Sequence, residues 1–289
     1  MAPKSPPQND QPADEIFAAL CLKPAIGKTT LIRLLADLFD ATDQNWCGIS
    51  VDRSERLPLR YPAGKVVQIN LPMDGEGRLD PYARTRAFTA LDTAIDQVAA
   101  DRSTLLVDVG SGEYPHALLD HASHARISSL LARRGLRLSA LIVTTVDPMV
   151  MSDVSRLVEA VRTALPAARI VVVLNERSGP FSFVEDTEAR KAWTRQIAPV
   201  LSMHTSVTIP ALPHGCWGRF EDQGLRFSDV GLLDPETSEA DERQLVAWAR
   251  ESRSLAVSRH GDVAGWLHDA RTVLAPLVAA PPTDGVHHA

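Results

Sequence analysis

Short apolar runs of strand length alternate with longer segments of helical period through most of this chain, and that alternation constrains the fold more than any other feature. Strand-like runs fall at 16–22, 46–52, 66–71, 105–109, 138–146 and 170–174, with helix-patterned segments at 29–39, 83–100, 116–133 and 150–165. Runs such as Ile170-Val171-Val172-Val173-Leu174 are apolar without interruption, as a strand covered on both faces requires. Strands separated by helices are joined by crossovers, so the expected class is α/β, with a mostly parallel sheet flanked by helices. Ligands of such sheets gather at the carboxyl ends of the strands.

With 289 residues, 45% of them hydrophobic, the chain can bury one sizeable core. A single domain is expected over 15–279. Residues 1–14, rich in Pro, Gln, Asn and Asp, read as a disordered tail without the apolar stretch of a secretory signal. Residues 280–289, which include His287 and His288, read as a second, flexible tail. No run approaches the roughly 20 apolar residues that cross a bilayer, so no membrane anchor and a cytoplasmic location are expected. The last helix-patterned segments, 240–257 and 263–277, carry mixed charge and lack the basic face of a membrane-binding helix. Cys21, Cys47 and Cys216 have no paired metal or redox spacing and read as packing residues.

Chemistry concentrates in the run Leu22-Lys23-Pro24-Ala25-Ile26-Gly27-Lys28-Thr29-Thr30-Leu31, which lies between an apolar strand and a helix pattern. In that context the backbone N–H groups from about Ile26 to Thr30 converge at a helix N-terminus, where unpaired donors and the positive dipole end favour phosphate. Lys28 would hold the β- and γ-phosphates, the Thr29 hydroxyl would complete the shell of a Mg²⁺, and Thr30 opens the helix. The plain alternative is that Gly-Lys-Thr-Thr merely starts an ordinary helix. Further runs weigh against it. Leu105-Leu106-Val107-Asp108, followed by Val109-Gly110-Ser111-Gly112, has the form of a buried strand delivering a carboxylate beside Mg²⁺. Cys47-Gly48-Ile49-Ser50-Val51-Asp52 has the same form, and Ile170 to Leu174 ends on Asn175, whose amide could read a base or cap a turn.

Taken in order over roughly 16–213, and with Val207-Thr208-Ile209-Pro210-Ala211-Leu212-Pro213 as a weaker fifth match, these runs resemble the ParA/MinD group of P-loop ATPases. Those proteins have a SIMIBI-like P-loop NTPase architecture and a deviant Walker A loop, Lys-Gly-Gly-x-Gly-Lys-Thr/Ser. The resemblance implies ATP and Mg²⁺ as cofactors and a nucleotide-dependent homodimer. It makes Lys23 the signature lysine that reaches the partner's nucleotide, and Asp108 the Walker B acid. Gly110 and Gly112 become the switch that meets the γ-phosphate. Asp52 faces the waters of the metal, and Asn175 is the base reader. Catalysis then falls to Lys23, Asp52 and Asp108, metal binding to Thr29, Asp52 and Asp108, and nucleotide binding to Ile26, Gly27, Lys28, Thr29, Thr30, Gly112 and Asn175.

A narrower resemblance, to plasmid StbB/TraL-like ATPases, is carried by Val107-Asp108-Val109-Gly110-Ser111-Gly112-Glu113-Tyr114 and Leu174-Asn175-Glu176-Arg177-Ser178-Gly179-Pro180-Phe181. It implies a role in plasmid stability, partition or conjugative transfer. Three departures support a second reading, a non-hydrolysing interaction protein. Pro24 has no N–H, Ala25 in a left-handed conformation would cost roughly 1–2 kcal/mol, and Ser54 stands where the family commonly has a second acid. A third reading, a small-molecule kinase, lacks any acceptor-binding motif.

Other clusters read more simply. His116, His121 and His124 lie near Asp120 without a complementary Cys/His pair, so a hydrogen-bonded group is expected in preference to a metal site. A net charge of −6 argues against broad coating by nucleic acid. Two local basic stretches, Arg126/Arg133/Arg134/Arg137 and Arg250/Arg253/Arg259, read first as solvated surface. Doubled in a dimer they would meet phosphate backbones, which makes DNA or a DNA-binding protein a candidate partner. Ser111 lacks the Gly-x-Ser-x-Gly frame of a serine nucleophile.

Overall fold

The structure, a computed structural model, describes residues 15–54, 57–72 and 81–279. The tails expected at 1–14 and 280–289 lie outside the described residues. The strands are β1 (Glu15–Leu20), β2 (Trp46–Val51), β3 (Val66–Ile69), β4 (Thr104–Val109), β5 (Arg137–Thr144), β6 (Arg169–Asn175) and β7 (Thr205–Ile209). They form one sheet in the order β3-β2-β4-β1-β5-β6-β7, and every pairing is parallel. The fold is therefore α/β, as the alternation predicts.

Between and after the strands come α1 (Lys28–Ala41), α2 (Pro81–Ala87), α3 (Thr89–Asp101), α4 (Glu113–His124), α5 (Ile127–Arg134) and α6 (Pro148–Ala164). The remainder are α7 (Glu188–Ala192), α8 (Ala198–Leu201), α9 (Gly218–Asp222), α10 (Phe227–Gly231), α11 (Glu239–Ala249) and α12 (Arg253–Val278). Strand β1 shows why both faces are covered: all its residues are buried, and successive side chains enter different cores. Phe17 and Ala19 join Leu31, Leu34 and Leu35 of α1 and Leu267 and Leu274 of α12. Ile16, Ala18 and Leu20 join Ile95 of α3, Leu118 of α4 and Leu157 of α6. Each large apolar side chain so buried contributes about 1.5–3 kcal/mol relative to exposure.

Helix boundaries depart from the sequence pattern in three places. The segment expected at 83–100 is divided into α2 and α3 beside the buried Phe88. The one expected at 116–133 divides at Arg126, whose φ of 53° is left-handed. The break expected between 257 and 263 falls instead at Arg250, also with φ 53°, after which α12 runs for 26 residues through Gly261 and Gly265. Packing of Val263, Trp266 and Leu267 into the core overrides the modest helix cost of those glycines. Strand β5 stops earlier than expected because Asp147 caps α6, accepting the Met149 N–H at 2.8 Å, with Pro148 in the first helical position.

The segment after β7 is fastened to the outer flank of α1 through buried charge. The Arg33 guanidinium lies 4.3 Å from the Phe227 ring centre and donates to the Leu225 carbonyl at 3.1 Å. Asp37 accepts from the Ser228 N–H at 3.1 Å and from its hydroxyl at 3.0 Å, satisfying an amide in the first turn of α10. Asp40 accepts from the Trp46 indole at 2.7 Å and from Arg226 at 2.9 Å. Among the described residues no helix is long and apolar enough to cross a membrane.

Candidate functional site

Neighbouring strands β1 and β4 send their following helices to opposite faces of the sheet, α1 to one and α4 to the other, which opens a crevice at their carboxyl ends. The turn from β1 to α1 forms its floor. Ala25 there has φ 56°, and Gly27 caps α1 with φ 94° and ψ 19°. A Cβ at Gly27 would collide with the Asn175 carboxamide, so both conformation and space demand glycine. No side chain caps α1 and no acid lies in its first turn. The amides of that turn therefore lack intrahelical acceptors, and the positive end of the helix dipole is unopposed.

Around this turn the structure gathers most of the expected residues. A cleft of about 310 Å³ is lined by residues 24–30 together with Asp52, Ser54, Val109, Gly110, Ser111 and Arg177. Lys28 is buried, and its ammonium donates to the Lys23 carbonyl at 3.2 Å. Burial holds its pKa below the usual lysine range, against the pull of Cys21, Asp108 and Asp52. The Thr29 hydroxyl donates to Asp108 Oδ2 at 2.7 Å. Asp108 is 4% exposed, and burial pushes its pKa up to about 6 despite that hydrogen bond and the Lys28 charge. Asp52 accepts from the Arg53 N–H at 2.6 Å and from the Ser54 hydroxyl at 3.0 Å. Ser54 is thus engaged with the neighbouring carboxylate.

Four expected residues sit differently. The Lys23 ammonium is 3.9 Å from Asp153 Oδ2 on α6, off the cleft wall. The Gly112 N–H, expected to meet phosphate, donates to the Leu22 carbonyl at 2.8 Å, and the Gly110 N–H donates to the Val51 carbonyl at 2.8 Å. Strand-end carbonyls have taken both amides. Asn175 is 5% exposed and lies beneath the turn: its amide donates to the Ile26 carbonyl at 2.9 Å, and its Oδ1 accepts the Arg177 N–H at 3.2 Å. That is the turn-capping geometry open to asparagine, with the carboxamide also bracing the β1–α1 turn.

Arg177 is the cleft residue the sequence reading did not single out. The signals for it were its place in the run Leu174 to Phe181 and its position two residues beyond the end of β6.

The remaining clusters resolve as structural. His121 pairs with Asp92 at 3.1 Å and stacks on Phe88 at 4.6 Å, while His124 bonds the Asp120 carbonyl at 2.7 Å. Among the described residues no three or more His, Cys, Asp and Glu side chains converge as a ready-made metal cage. Arg134 pairs with Asp96 at 2.8 Å, Arg253 with Glu242 at 2.6 Å and Arg259 with Glu251 at 2.6 Å. The two basic stretches lie on opposite sides of the sheet, since α5 packs into one core and α11 and α12 into the other. Within one chain they form no common surface.

No family model matches the sequence, and no curated protein matches it. Among solved structures, the MinD cell division protein of Aquifex aeolicus aligns with a TM-score of 0.44 and 16% identity over 89% of this chain and 97% of its own. The MinC:MinD cell division complex of the same organism gives 0.44 and 15% over 89% and 96%. Chloroplast FtsY of Physcomitrella patens gives 0.42 and 14% over 70% and 59%. At these values the likeness carries neither activity nor partner to this chain, and the fold stands on its own strand order.

Proposed function

We propose that this chain is a nucleotide-dependent switch of the P-loop ATPase type, binding ATP with Mg²⁺ in the cleft at the start of α1. The observation that carries the proposal is the joint placement of uncapped α1 amides, the buried Lys28 ammonium and the Thr29–Asp108 pair. Thr29 and Asp108 offer two oxygens 2.7 Å apart, the donor type a hard divalent cation takes, and Asp108 is a buried carboxylate without a full countercharge. When bound, Mg²⁺ supplies neutralisation of charge on the terminal phosphates. Lys28 binds the β- and γ-phosphates, and the amides of Ile26, Gly27, Thr29 and Thr30 cradle them. Asp52 orients the water shell of the metal, Gly112 senses the terminal phosphate once freed from Leu22, and Lys23 serves the partner's nucleotide in a homodimer. Asn175 braces the turn and borders the base. The narrower sequence resemblance supports a role in plasmid stability, partition or conjugative transfer, with DNA or a DNA-binding protein as the partner.

Equilibrium binding of ATP and GTP, each with and without Mg²⁺ and followed by sizing of the complexes, tests this reading. Mg²⁺-dependent binding of ATP with a shift to dimer is expected. A chain that stays monomeric and binds neither nucleotide overturns it. A second reading, binding without turnover, is supported by Ser54 at the acid position and by the left-handed Ala25. It predicts nucleotide-induced thermal stabilisation with no phosphate release, a result the first reading does not allow once the partner is supplied.

A further inference from the structure

We infer that Arg177 grips the nucleoside end of the nucleotide, at the α-phosphate, and so sets affinity for a nucleoside phosphate over a bare polyphosphate. The inference rests on the nucleotide reading above and deepens it.

The strand order gives the cleft two ends. Asp108 lies near the end of β4 and Asp52 follows β2, on one side of β1, whereas Arg177 follows β6, on the other side and beyond β5. A triphosphate whose terminal groups lie by the two carboxylates and Lys28 must therefore run its α-phosphate and nucleoside toward β6. Arg177 is held there from its backbone. Its N–H is bonded by Asn175 Oδ1 at 3.2 Å, and the same carboxamide grips the Ile26 carbonyl at 2.9 Å, so the residue is fixed to the phosphate-binding turn itself. Its side chain crosses the start of α1, with Cδ 4.0 Å from where a Gly27 Cβ would stand.

The guanidinium is also available. Arg134, Arg226, Arg253 and Arg259 are each committed to a carboxylate. The Arg177 side chain has no hydrogen bond or ion pair among the described residues, yet it lines the cleft. A planar cation offering paired N–H donors suits phosphate oxygens better than an ammonium does, so lysine is not its equivalent here.

The test compares Mg²⁺-ATP, Mg²⁺-ADP and Mg²⁺-tripolyphosphate as probes by equilibrium binding at fixed ionic strength, on the full chain and on Arg177→Ala and Arg177→Lys. Arg177→Ala is expected to weaken ATP and ADP roughly tenfold or more while tripolyphosphate changes less than about twofold, with Arg177→Lys between. The position is exposed and the backbone N–H is retained, so an unchanged unfolding midpoint without ligand is expected of both variants. Unchanged ATP affinity in Arg177→Ala overturns the assignment, as does an equal loss for ATP and tripolyphosphate, which would place the guanidinium at the terminal phosphates. A parent chain that binds none of the three probes overturns the nucleotide reading and this one with it. A parent that binds ATP beside an unaffected variant overturns the arginine alone.

Discussion

At its N-terminus helix α1 buries Lys28 and, through Thr29, adjoins the buried Asp108; further along the same helix it buries Arg33 and Asp37. The two regions treat charge in opposite ways. Asp37 takes two hydrogen bonds from Ser228, and Arg33 has the Leu225 carbonyl, Glu221 and two aromatic rings around it. Lys28 has one carbonyl, and Asp108 has one hydroxyl. Buried charge is stabilising only where partners replace the lost water. The flank of α1 is thus the more fully partnered within the chain, with Arg33 Nε the buried polar atom of that pair of side chains left without a partner, and the N-terminus of α1 leaves more to be supplied from outside. Burial alone does not distinguish a structural charge from a functional one; the partner inventory does.

The sharpest way to break this comparison is on the flank. Arg33→Ala removes the cation packed on Trp217 and Phe227 and paired with Glu221, and is expected to cost about 3 kcal/mol in denaturant unfolding. A loss under about 1 kcal/mol would show that the flank is no better satisfied than the cleft. Lys28→Ala, next in size, should weaken Mg²⁺-ATP on the order of 100-fold by calorimetry without lowering the unfolding midpoint of the free chain. Retained ATP affinity would remove the functional half of the contrast.

Asp108 sharpens it through pH. Burial pushes its carboxyl from the ordinary aspartate value of 3.8 in the unfolded chain up to about 6 in the folded one. Between those values the folded chain holds a proton the unfolded chain has lost, so this residue lowers stability as pH rises through about 4 to 6. Asp108→Asn should therefore stabilise the free chain by about 2 kcal/mol at pH 7.5, and the advantage should fade below about pH 4 in urea titrations. An advantage independent of pH would trace to packing, not charge. The smallest effect is expected at Ala25, whose φ of 56° suits glycine. Ala25→Gly should stabilise by no more than about 1 kcal/mol, visible as a small rise in the thermal midpoint.

What could be read from residues alone follows the same division. Lys28, Thr29 and Asp108 were legible because each lies at a strand or helix end, where a short apolar run announces the element and its last or first residue carries the chemistry. The parallel sheet was legible for the same reason. Arg126 and Arg250 were not, since a left-handed arginine bears no mark in the sequence that would separate it from a helical one. Asn175 was placed at the right strand end, yet its grip on Ile26 joins residues 149 positions apart, beyond the reach of any local pattern. Arg177 stands in a quoted run without a role, because a surface arginine acquires meaning only from what stands opposite it.

The hydrogen bond from Gly112 to the Leu22 carbonyl ties the residue before α4 to the one leaving β1. Two loops on neighbouring strands are thereby yoked: the segment after β4 cannot swing over the crevice while the carbonyl beyond β1 keeps its donor. Slow deuterium uptake at Gly112 is the mark of that yoke, and faster uptake, with no other amide disturbed, would register its release.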